Sequence, residues 1–281
     1  MKINCLLLGS GGFIGSNLKR SISRVADITL RCPRSWELDL TDRSAVKAYF
    51  QEFKPDVLIN AAIKVDTIGE NIQSVTNLLA ALTPDTHFIQ IGSGAEYDRF
   101  NCPKNVSEAY WGKHVPGDVY GISKYVSTLL LDRHLGSGYL NLRVFGIFGS
   151  GEESRRLIPS LTNQAVREKT AQIKQDGLFS YVSVNDLAKF IVFWINSNVK
   201  VHGTFNFTQE RPLRLSEPLE ILEKKIPNLR TEILDTTATN NFYYGNSDLL
   251  LKTFKWFTFS DLSNGVSQYI DSLIKSISPH D

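Results

Sequence analysis

Residues 3–22 read Ile3-Asn-Cys-Leu-Leu-Leu-Gly-Ser-Gly-Gly-Phe-Ile-Gly-Ser-Asn-Leu-Lys-Arg-Ser-Ile22. The run from Ile3 to Leu8 is short and apolar, which is typical of a buried strand. A glycine cluster ends this run, and apolar residues at Ile14, Leu18 and Ile22 then recur at helical spacing. The stretch therefore predicts a strand, a tight turn and a helix.

The turn carries a G-x-x-G-x-x-G pattern formed by Gly9, Gly12 and Gly15. Glycine lacks the Cβ that would block a close approach of a ligand to the backbone, and a helix N-terminus offers free N–H groups and a positive dipole end. Because the pattern lies between a predicted strand and a predicted helix, it indicates a site for the diphosphate of a dinucleotide. A purely structural turn is the alternative.

Composition excludes several other classes of protein. The 281 residues are 42% hydrophobic and 21% charged, values typical of a globular chain, and the formal net charge of +2 is too small to indicate a nucleic-acid or anionic-membrane partner. No apolar run approaches the ~20 residues that a membrane-spanning helix needs. Three cysteines without C-x-x-C spacing and five scattered histidines predict neither a disulfide framework nor a metal site. We expect a soluble, cytoplasmic protein.

Strand-like and helix-like segments alternate along the first half of the chain. Further strands are predicted at 28–30, 57–60, 88–92 and 140–145, with helices at 44–53, 72–82 and 119–135 between them. This alternation indicates an α/β protein with a Rossmann-like, doubly wound parallel sheet. Residues 1–145, joined by about 179–203, form the predicted dinucleotide-binding lobe. Residues 146–178 and 204–281 form a smaller substrate-binding lobe with a strand at 203–207 and helices near 158, at 216–225 and at 260–277.

The end of the second strand bears on the choice of dinucleotide. An acidic residue there binds the ribose 2′-hydroxyl of NAD, whereas arginine suits the 2′-phosphate of NADP. The sequence runs Leu30-Arg31-Cys-Pro-Arg34, so Arg31 and Arg34 favour NADP(H) over NAD. Asp39 and Leu40, further along, are candidates to flank the adenine.

A second constellation is Tyr120-Gly-Ile-Ser-Lys124. Positions i and i+4 of a helix share a face, so the phenol and the ammonium group of this pair are predicted to point into one cleft. A nearby cation stabilises a phenolate, which would lower the pKa of Tyr120. Ser93 ends the strand predicted at 88–92, and strand carboxyl ends are where ligands bind in an open parallel sheet. We therefore expect these three side chains to converge.

Together these features resemble the extended short-chain dehydrogenase/reductase family, in particular its members that act on nucleotide-activated sugars. The early part is most similar to the GDP-fucose synthases of that family. The motifs that carry the resemblance are the glycine triad, Leu38-Asp-Leu-Thr-Asp42, Pro55-Asp-Val-Leu-Ile-Asn-Ala-Ala62, Ala62-Ile-Lys-Val65, Gly92-Ser-Gly-Ala-Glu-Tyr97, Tyr120–Lys124, Leu142-Arg143 and Val184-Asn-Asp186. The resemblance implies that Tyr120 donates a proton, that Lys124 holds the nicotinamide ribose and that Ser93 binds the substrate carbonyl oxygen.

Departures from the family pattern bear on the reaction. Dehydratases carry an Asp-Glu pair directly after the serine, where this chain has Gly94 and Ala95. The GDP-fucose synthases invert stereocentres with a cysteine and a histidine, whose positions here are Ala95 and Arg156. The resemblance therefore implies simple carbonyl reduction. The predicted reaction is the NADPH-dependent reduction of the 4-keto group of a nucleoside-diphosphate 4-keto-6-deoxysugar.

Two alternatives stay open: a nucleotide-sugar 4-epimerase using bound NAD, and a non-catalytic dinucleotide-sensing protein of the same fold. A homodimer is compatible with the sequence. Arg155 and Arg156 open the helix near 158 and are candidates to bind the substrate diphosphate, together with Ser93 and Tyr120 at the sugar; Arg211 and Arg214 are weaker candidates. The predicted cofactor site comprises Gly9, Gly12, Phe13, Ile14, Gly15, Arg31, Arg34, Asp39, Leu40, Ala61, Ala62 and Lys124.

Overall fold

A computed structural model describes residues 2–237 and 241–277. The described residues leave out Met1, residues 238–240 and residues 278–281. His280 and the predicted lobe boundaries at residues 1 and 281 therefore lie outside the described residues. Among the helices of the described ranges, none combines the length and the apolar character that crossing a bilayer requires.

The elements follow one another in the order that the sequence pattern predicts, with additional strands and an additional short helix at 248–253. In chain order they are β1 (Ile3–Leu8), α1 (Phe13–Ile22), β2 (Ile28–Arg31), α2 (Arg43–Phe53), β3 (Val57–Asn60), α3 (Gly69–Ala81), β4 (His87–Ser93), α4 (Val119–Leu135), β5 (Tyr139–Val144), β6 (Gly146–Phe148), α5 (Leu157–Glu168), β7 (Thr170–Gln175), β8 (Leu178–Phe179), β9 (Tyr181–Ser183), α6 (Val184–Asn196), β10 (Gly203–Phe207), β11 (Leu213–Arg214), α7 (Glu217–Lys225), β12 (Arg230–Asp235), β13 (Phe242–Tyr243), α8 (Asp248–Thr253) and α9 (Leu262–Ile277).

The main sheet has six parallel strands in the order β10-β5-β4-β3-β1-β2. The chain passes from β1 to β2 on one side and then returns to place β3 on the other side of β1. The strand order thus reverses between β1 and β3. In an open α/β sheet, a crevice for ligands forms beyond the strand carboxyl ends at such a reversal.

Helices cover both faces of this sheet, because successive side chains of a strand point to opposite faces. On β1, Cys5 and Leu7 pack in a core that includes Leu18 of α1 and Phe190 of α6. Leu6 and Leu8 face the other way, into a core with Val46 of α2, Leu78 of α3 and Leu131 of α4. The predicted doubly wound α/β fold is confirmed.

A second core holds the smaller lobe together. It is built by apolar residues of α5, α7 and α9 and by the inward-facing residues of β7, which pairs in parallel with β12. The buried members include Ile158, Leu161, Ile173, Leu222 and Val266. This core lies beyond the carboxyl end of the main sheet, because β6 and α5 follow directly from β5.

The predicted boundary at 204 needs one correction. β10 is hydrogen-bonded in register with β5, so it is the edge strand of the main sheet and not part of the smaller lobe. Leu250, Phe254 and Phe257 also pack in the core beneath α6. We therefore propose that the larger lobe includes residues 203–207 and 248–257. Sequence order alone cannot show this, because the β5–β10 pairing joins segments about sixty residues apart.

The apolar and polar pattern of residues 179–184 predicts a single strand, and this prediction is wrong in detail. Two short strands, β8 and β9, flank Ser180, and Val184 already begins α6. The backbone N–H of Ser180 donates to the carbonyl oxygen of Tyr243 at 3.0 Å, which turns this part of the chain toward β13. The predicted strand at 57–60 and the predicted helix at 119–135 are confirmed at both ends.

Candidate active site

The glycine turn between β1 and α1 is built so that side chains are excluded from it. Gly9 has φ +76°, and a Cβ there would lie 2.5 Å from the carbonyl carbon of Ala61. A Cβ on Gly15 would lie 2.1 Å from the carbonyl oxygen of Gly9. Both positions require glycine, because the first has a left-handed backbone and both lie against main chain. A Cβ on Gly12 would meet no atom closer than 3.6 Å, so its face of the turn is open.

The open face of the turn suits an anionic group. α1 begins at Phe13, so the N–H groups of its first turn lack intrahelical partners and carry the positive end of the helix dipole. The hydroxyl oxygen of Ser10 is buried and has no hydrogen-bond partner among residues 2–237 and 241–277. An unsatisfied buried hydroxyl beside free helix N–H groups fits a bound diphosphate.

A cavity of about 1110 Å³ extends from this turn across the carboxyl edge of the sheet. Its walls include the glycine turn, the loop after β2, the loop after β3, the end of β4 and the start of α4. Predicted site residues that line it are Gly9, Gly12, Phe13, Ile14, Gly15, Arg34, Asp39, Leu40, Ala61, Ala62, Ser93, Tyr120, Lys124, Arg155 and Arg156. The structure thus brings these residues to one cavity from six separate segments.

The two arginines after β2 differ in position. Arg34 lies over the glycine turn, since a Cβ on Gly11 would come within 2.7 Å of its Nη1 atom. Arg31 points elsewhere: its Nη1 atom pairs with Glu52 at 2.9 Å, and its guanidinium lies 4.7 Å from the centre of the Phe53 ring. The structure does not bring Arg31 to the cavity that the other predicted cofactor residues line, because α2 supplies its guanidinium with a carboxylate and an aromatic ring.

Asp39 faces the cavity as a fixed carboxylate. One of its oxygens accepts hydrogen bonds from the backbone N–H of Thr41 at 2.9 Å and from the Thr41 hydroxyl at 2.7 Å. These bonds lower the pKa of Asp39 below its ordinary value, and the bond from the backbone N–H has the larger effect. The position beside the Arg34 loop fits the expected place at the adenosine end of a dinucleotide.

Tyr120 and Ser93 meet at the opposite end of the cavity. Asp118 caps α4 by accepting a hydrogen bond from the backbone N–H of Gly121 at 2.9 Å, which fixes the first turn that carries Tyr120. Ser93 ends β4, and its hydroxyl accepts a hydrogen bond from the backbone N–H of Ala95 at 3.1 Å. The Ser93 side chain lies close enough to the Tyr120 phenol to lower its pKa and so favour the phenolate.

Lys124 lies one turn further along the same face of α4. Its Nζ atom donates a hydrogen bond to the carbonyl oxygen of Ile91 at 2.6 Å and lies 6.0 Å from the centre of the Tyr120 ring. Burial lowers the pKa of Lys124 to about 8, and the charge of Glu96 opposes this shift. The expected convergence of serine, tyrosine and lysine is therefore present in the structure.

The pKa of Tyr120 is raised, whereas the sequence predicts that the neighbouring lysine lowers it. Burial raises this pKa above the ordinary value of 10.0, and the nearby Ser93 side chain opposes the rise. Removal of the phenol from water is the larger effect, because burial disfavours the charged phenolate. The phenol consequently retains its proton at neutral pH, as a proton donor must.

Glu96 supports Ser93 from behind and was not singled out by the sequence reasoning. Its carboxylate accepts hydrogen bonds from the Ser93 backbone N–H at 3.0 Å, the Thr128 hydroxyl at 2.9 Å and Arg143 Nε at 2.7 Å. Glu96 and Arg143 are almost completely buried. A serine followed three residues later by glutamate is a capping-box pattern, which was the available sequence signal.

The two arginines at the start of α5 differ in the ion pairs that hold them. Arg155 is exposed and pairs with Glu153 at 2.5 Å. Arg156 Nε donates to Glu152 Oε1 at 3.1 Å, and burial raises the pKa of this Glu152 carboxyl to about 7. Arg156 is thus oriented by a buried partner, whereas Arg155 is held only at the surface.

Arg211 and Arg214 are not among the cavity-lining residues. Arg211 donates to both carboxylate oxygens of Glu217, at 2.9 and 2.8 Å, and Arg214 is exposed on β11. The acidic first turn of α7 accounts for the position of Arg211, so its charge is already paired within the smaller lobe.

The chain matches the NAD dependent epimerase/dehydratase family over residues 5–207. This match spans well over half of the 281 residues, and the protein belongs to that family. GDP-L-colitose synthase of Yersinia pseudotuberculosis is 24% identical over 306 residues, a match that covers 95% of this chain and 96% of that protein.

Several solved structures with the same fold contain NADP or NADPH, and one contains NAD. A GDP-L-fucose synthetase from Naegleria fowleri, bound to NADP, superimposes with a TM-score of 0.80 at 12% identity and covers 98% of this chain and 95% of its own. A GDP-D-glycero-L-gluco-heptose synthase from Campylobacter jejuni, with NADPH, gives 0.81 at 15% identity and covers 98% of both chains.

Proposed function

We propose that the protein is an NADPH-dependent oxidoreductase that reduces the 4-keto group of a nucleoside-diphosphate 4-keto-6-deoxysugar. The observation that carries the proposal is the joining of two groups of residues in one cavity. The glycine turn with Arg34 lies at one end, and Ser93, Tyr120 and Lys124 lie at the other. Family membership and the NADP-bound structures of the same fold support this reading.

The proposed reaction adds a hydride and a proton to a ketone. The glycine turn and Arg34 would hold NADPH, which would supply the hydride that the C4 carbon accepts. Tyr120 donates its phenolic proton to the carbonyl oxygen as that oxygen becomes an alkoxide, and Ser93 donates a hydrogen bond to the same oxygen. Lys124 holds the nicotinamide ribose, and its positive charge stabilises the phenolate until solvent returns a proton.

Packing around Gly94 also excludes the carboxylate that dehydratases carry at this position. A Cβ on Gly94 would lie 2.6 Å from a ring carbon of Phe145 and 2.6 Å from the Tyr243 hydroxyl. An aspartate at this position has no room unless both rings move. Ala95 and Arg156 occupy the positions that a cysteine and a histidine hold in the GDP-fucose synthases, which supports reduction without epimerisation.

The reductase proposal is tested with a panel of nucleoside-diphosphate 4-ketosugars. We expect loss of NADPH absorbance and one equivalent of the 6-deoxysugar per NADPH consumed. Tyr120→Phe should lower kcat by about 100-fold or more, because general acid catalysis contributes a factor of this size. Tyr244→Phe, which removes a phenol elsewhere, is the control. Retention of most of the rate by Tyr120→Phe would rule out this proton donor.

The same panel separates the two alternatives. A 4-epimerase using bound NAD would isomerise nucleotide sugars without net consumption of cofactor. A dinucleotide-sensing protein would bind cofactor and turn over no carbonyl compound. Cytoplasmic location and a homodimer remain predictions from the sequence.

Arg34 is proposed to select NADPH through the 2′-phosphate. Charge-assisted hydrogen bonds to a phosphate have a free energy that corresponds to a factor of about 10 to 100 in affinity. Arg34→Ala should therefore weaken NADPH binding by about that factor and leave NADH binding unchanged. Arg31→Ala is the matched control, because its charge is paired with Glu52. Tighter binding of NADH than of NADPH by the wild type would contradict the cofactor assignment.

A further inference from the structure

The chain around Tyr243 crosses the active-site end of the larger lobe under several constraints. β13 pairs in parallel with β8. The Gly245 N–H donates to the Ser180 hydroxyl at 3.0 Å, and the Asn246 N–H donates to the carbonyl oxygen of Val106 at 2.8 Å. A Cβ on Gly245 would lie 2.6 Å from the Phe145 ring, so the backbone passes directly over that ring. The position of Tyr243 is therefore set from both sides.

The side chain of Tyr243 reaches the turn that follows β4. Its hydroxyl would lie 2.6 Å from a Cβ on Gly94, the residue that follows Ser93. Its ring centre is 5.1 Å from that of Phe145, a cavity-lining residue. The Tyr243 hydroxyl thus lies beside the turn that follows Ser93, next to a ring that lines the cavity. Tyr243 itself is not among the cavity-lining residues, so its hydroxyl lies at the side of the cavity.

The Tyr243 side chain is partly exposed, and its hydroxyl makes no hydrogen bond within residues 2–237 and 241–277. Tyr97 and Tyr139, which are almost completely buried, each donate a hydrogen bond to a side-chain oxygen. Burial raises the pKa of Tyr243 well above its ordinary value, so the phenol keeps its proton. A protonated hydroxyl that is partly accessible and has no partner among the described residues is a donor available to a ligand.

We propose that Tyr243 is a specificity-determining residue whose hydroxyl donates a hydrogen bond to the C3 hydroxyl of the sugar. This inference rests on the proposed 4-keto-6-deoxysugar substrate. In such a sugar C5 carries a methyl group and the ring oxygen, so the hydroxyl next to the C4 ketone is the one on C3. The Tyr243 hydroxyl lies beside Gly94, the residue next to Ser93. If Ser93 binds the C4 oxygen, Tyr243 is in the position to bind the oxygen on the neighbouring C3 carbon.

The proposal is tested by a cycle of two enzymes and two substrates. Wild type and Tyr243→Phe are each assayed with a nucleoside-diphosphate 4-keto-6-deoxysugar and with its 3-deoxy analogue. Tyr243→Phe should lower kcat/KM about 10-fold for the first substrate, mainly through KM, because one neutral hydrogen bond is lost. For the 3-deoxy analogue, the kcat/KM of wild type and that of Tyr243→Phe should be equal. Tyr244→Phe, on the neighbouring residue of the same segment, is the matched control.

An equal effect of Tyr243→Phe on both substrates, or none on either, would overturn the role of Tyr243. Failure of the proposed function has a different signature, since the wild type would then reduce neither ketosugar. In that case, binding of nucleoside-diphosphate hexoses with and without the C3 hydroxyl is measured by calorimetry. A preference for the hydroxyl that Tyr243→Phe abolishes would still support the Tyr243 contact, and its persistence would exclude it.

Discussion

Lys124 is an ammonium group kept almost entirely out of water, with 4% of its surface exposed. It donates to one backbone carbonyl, and burial lowers its pKa to about 8. Burying a charge without an ionic partner costs stability, because solvation by water is lost and only partly replaced. Such an arrangement is typical of a residue retained for function.

Replacement of Lys124 by methionine should separate function from stability. Lys124→Met keeps the length of the side chain and removes the buried charge. We expect kcat for ketosugar reduction to fall by about 100-fold or more, while the unfolding temperature stays equal or rises. NADPH oxidation and thermal unfolding measure the two effects. Lys47→Met, at an exposed position of α2, is the control and should change neither. A large loss of stability in Lys124→Met would show that the ammonium group holds the fold together.

The same lysine predicts a pH dependence. Below pH 8 both folded and unfolded chains hold the proton, and burial of the charge disfavours the folded state. Between about pH 8 and 10.5 the folded protein loses a proton that the unfolded chain keeps, so stability rises with pH. The unfolding free energy of wild type relative to Lys124→Met should therefore increase across this window, and the reduction rate should fall above pH 8. A flat difference in denaturant titrations would contradict the assigned pKa.

At the scale of elements, the turn after β4 joins three parts of the larger lobe. Glu96 receives hydrogen bonds from the end of β4, from Thr128 of α4 and from Arg143 of β5. Arg143 also donates to the Tyr97 hydroxyl at 3.2 Å, and that hydroxyl donates to Asn206 of β10 at 2.8 Å. The position of Ser93 therefore depends on a buried polar network that spans neighbouring strands.

Glu96→Gln should destabilise the protein and impair catalysis together. The substitution leaves Arg143 buried without a counter-charge, and breaking such a pair costs about 3–5 kcal/mol. Glutamine also has only one acceptor oxygen, so its amide nitrogen must face either the Ser93 N–H or the pair formed by the Thr128 hydroxyl and Arg143 Nε, and leaves that side without an acceptor. Chemical denaturation and the kcat of ketosugar reduction measure the two effects. Glu52→Gln breaks the exposed pair with Arg31 and should have little effect on either. Equal stabilities of the two variants would contradict the role of burial.

At the scale of the whole molecule, the two edges of the main sheet differ in chemistry. The carboxyl edge carries the candidate active site, whereas the amino edge carries a histidine pair that ties β4 to the segment before β10. Nδ1 of His87 lies 3.3 Å from Nε2 of His202. Burial is the main cause that lowers the pKa of both rings, and the charge of Lys200 lowers both further. The charge of His87 also lowers the pKa of His202, whereas Asp56 and Asp85 oppose the shift at His87.

This histidine pair should make the fold sensitive to mild acid. Lowered folded-state pKa values mean that the unfolded chain takes up protons first, so stability is lost as the pH falls below 6.5. His202→Gln should make the decline between about pH 6.5 and 5 shallower. Urea unfolding at a series of pH values measures it, with His134→Gln, at an exposed position of α4, as the control. An unchanged slope in His202→Gln would assign the acid sensitivity to other groups.

Local pattern was sufficient for much of the fold. The apolar run 57–60 is buried on both faces in the centre of a parallel sheet, so its composition alone identifies a strand. The pattern at 170–175 alternates between buried and exposed residues, yet it was not predicted. Its partner, β12, lies about sixty residues further along the chain. Short strands stabilised by such distant pairing leave a weak local signal.

The amino-acid sequence by itself determined the parallel α/β sheet, the glycine turn and the spacing that puts Tyr120 and Lys124 on one helix face. These properties depend on backbone geometry and on periodicity over a few residues. Only the tertiary structure decided that Arg34 faces the cavity while Arg31 pairs with Glu52, that Glu96 supports Ser93, and that Tyr243 reaches Gly94. Those outcomes depend on which distant segments the packing of two cores brings together, and no local periodicity records such contacts.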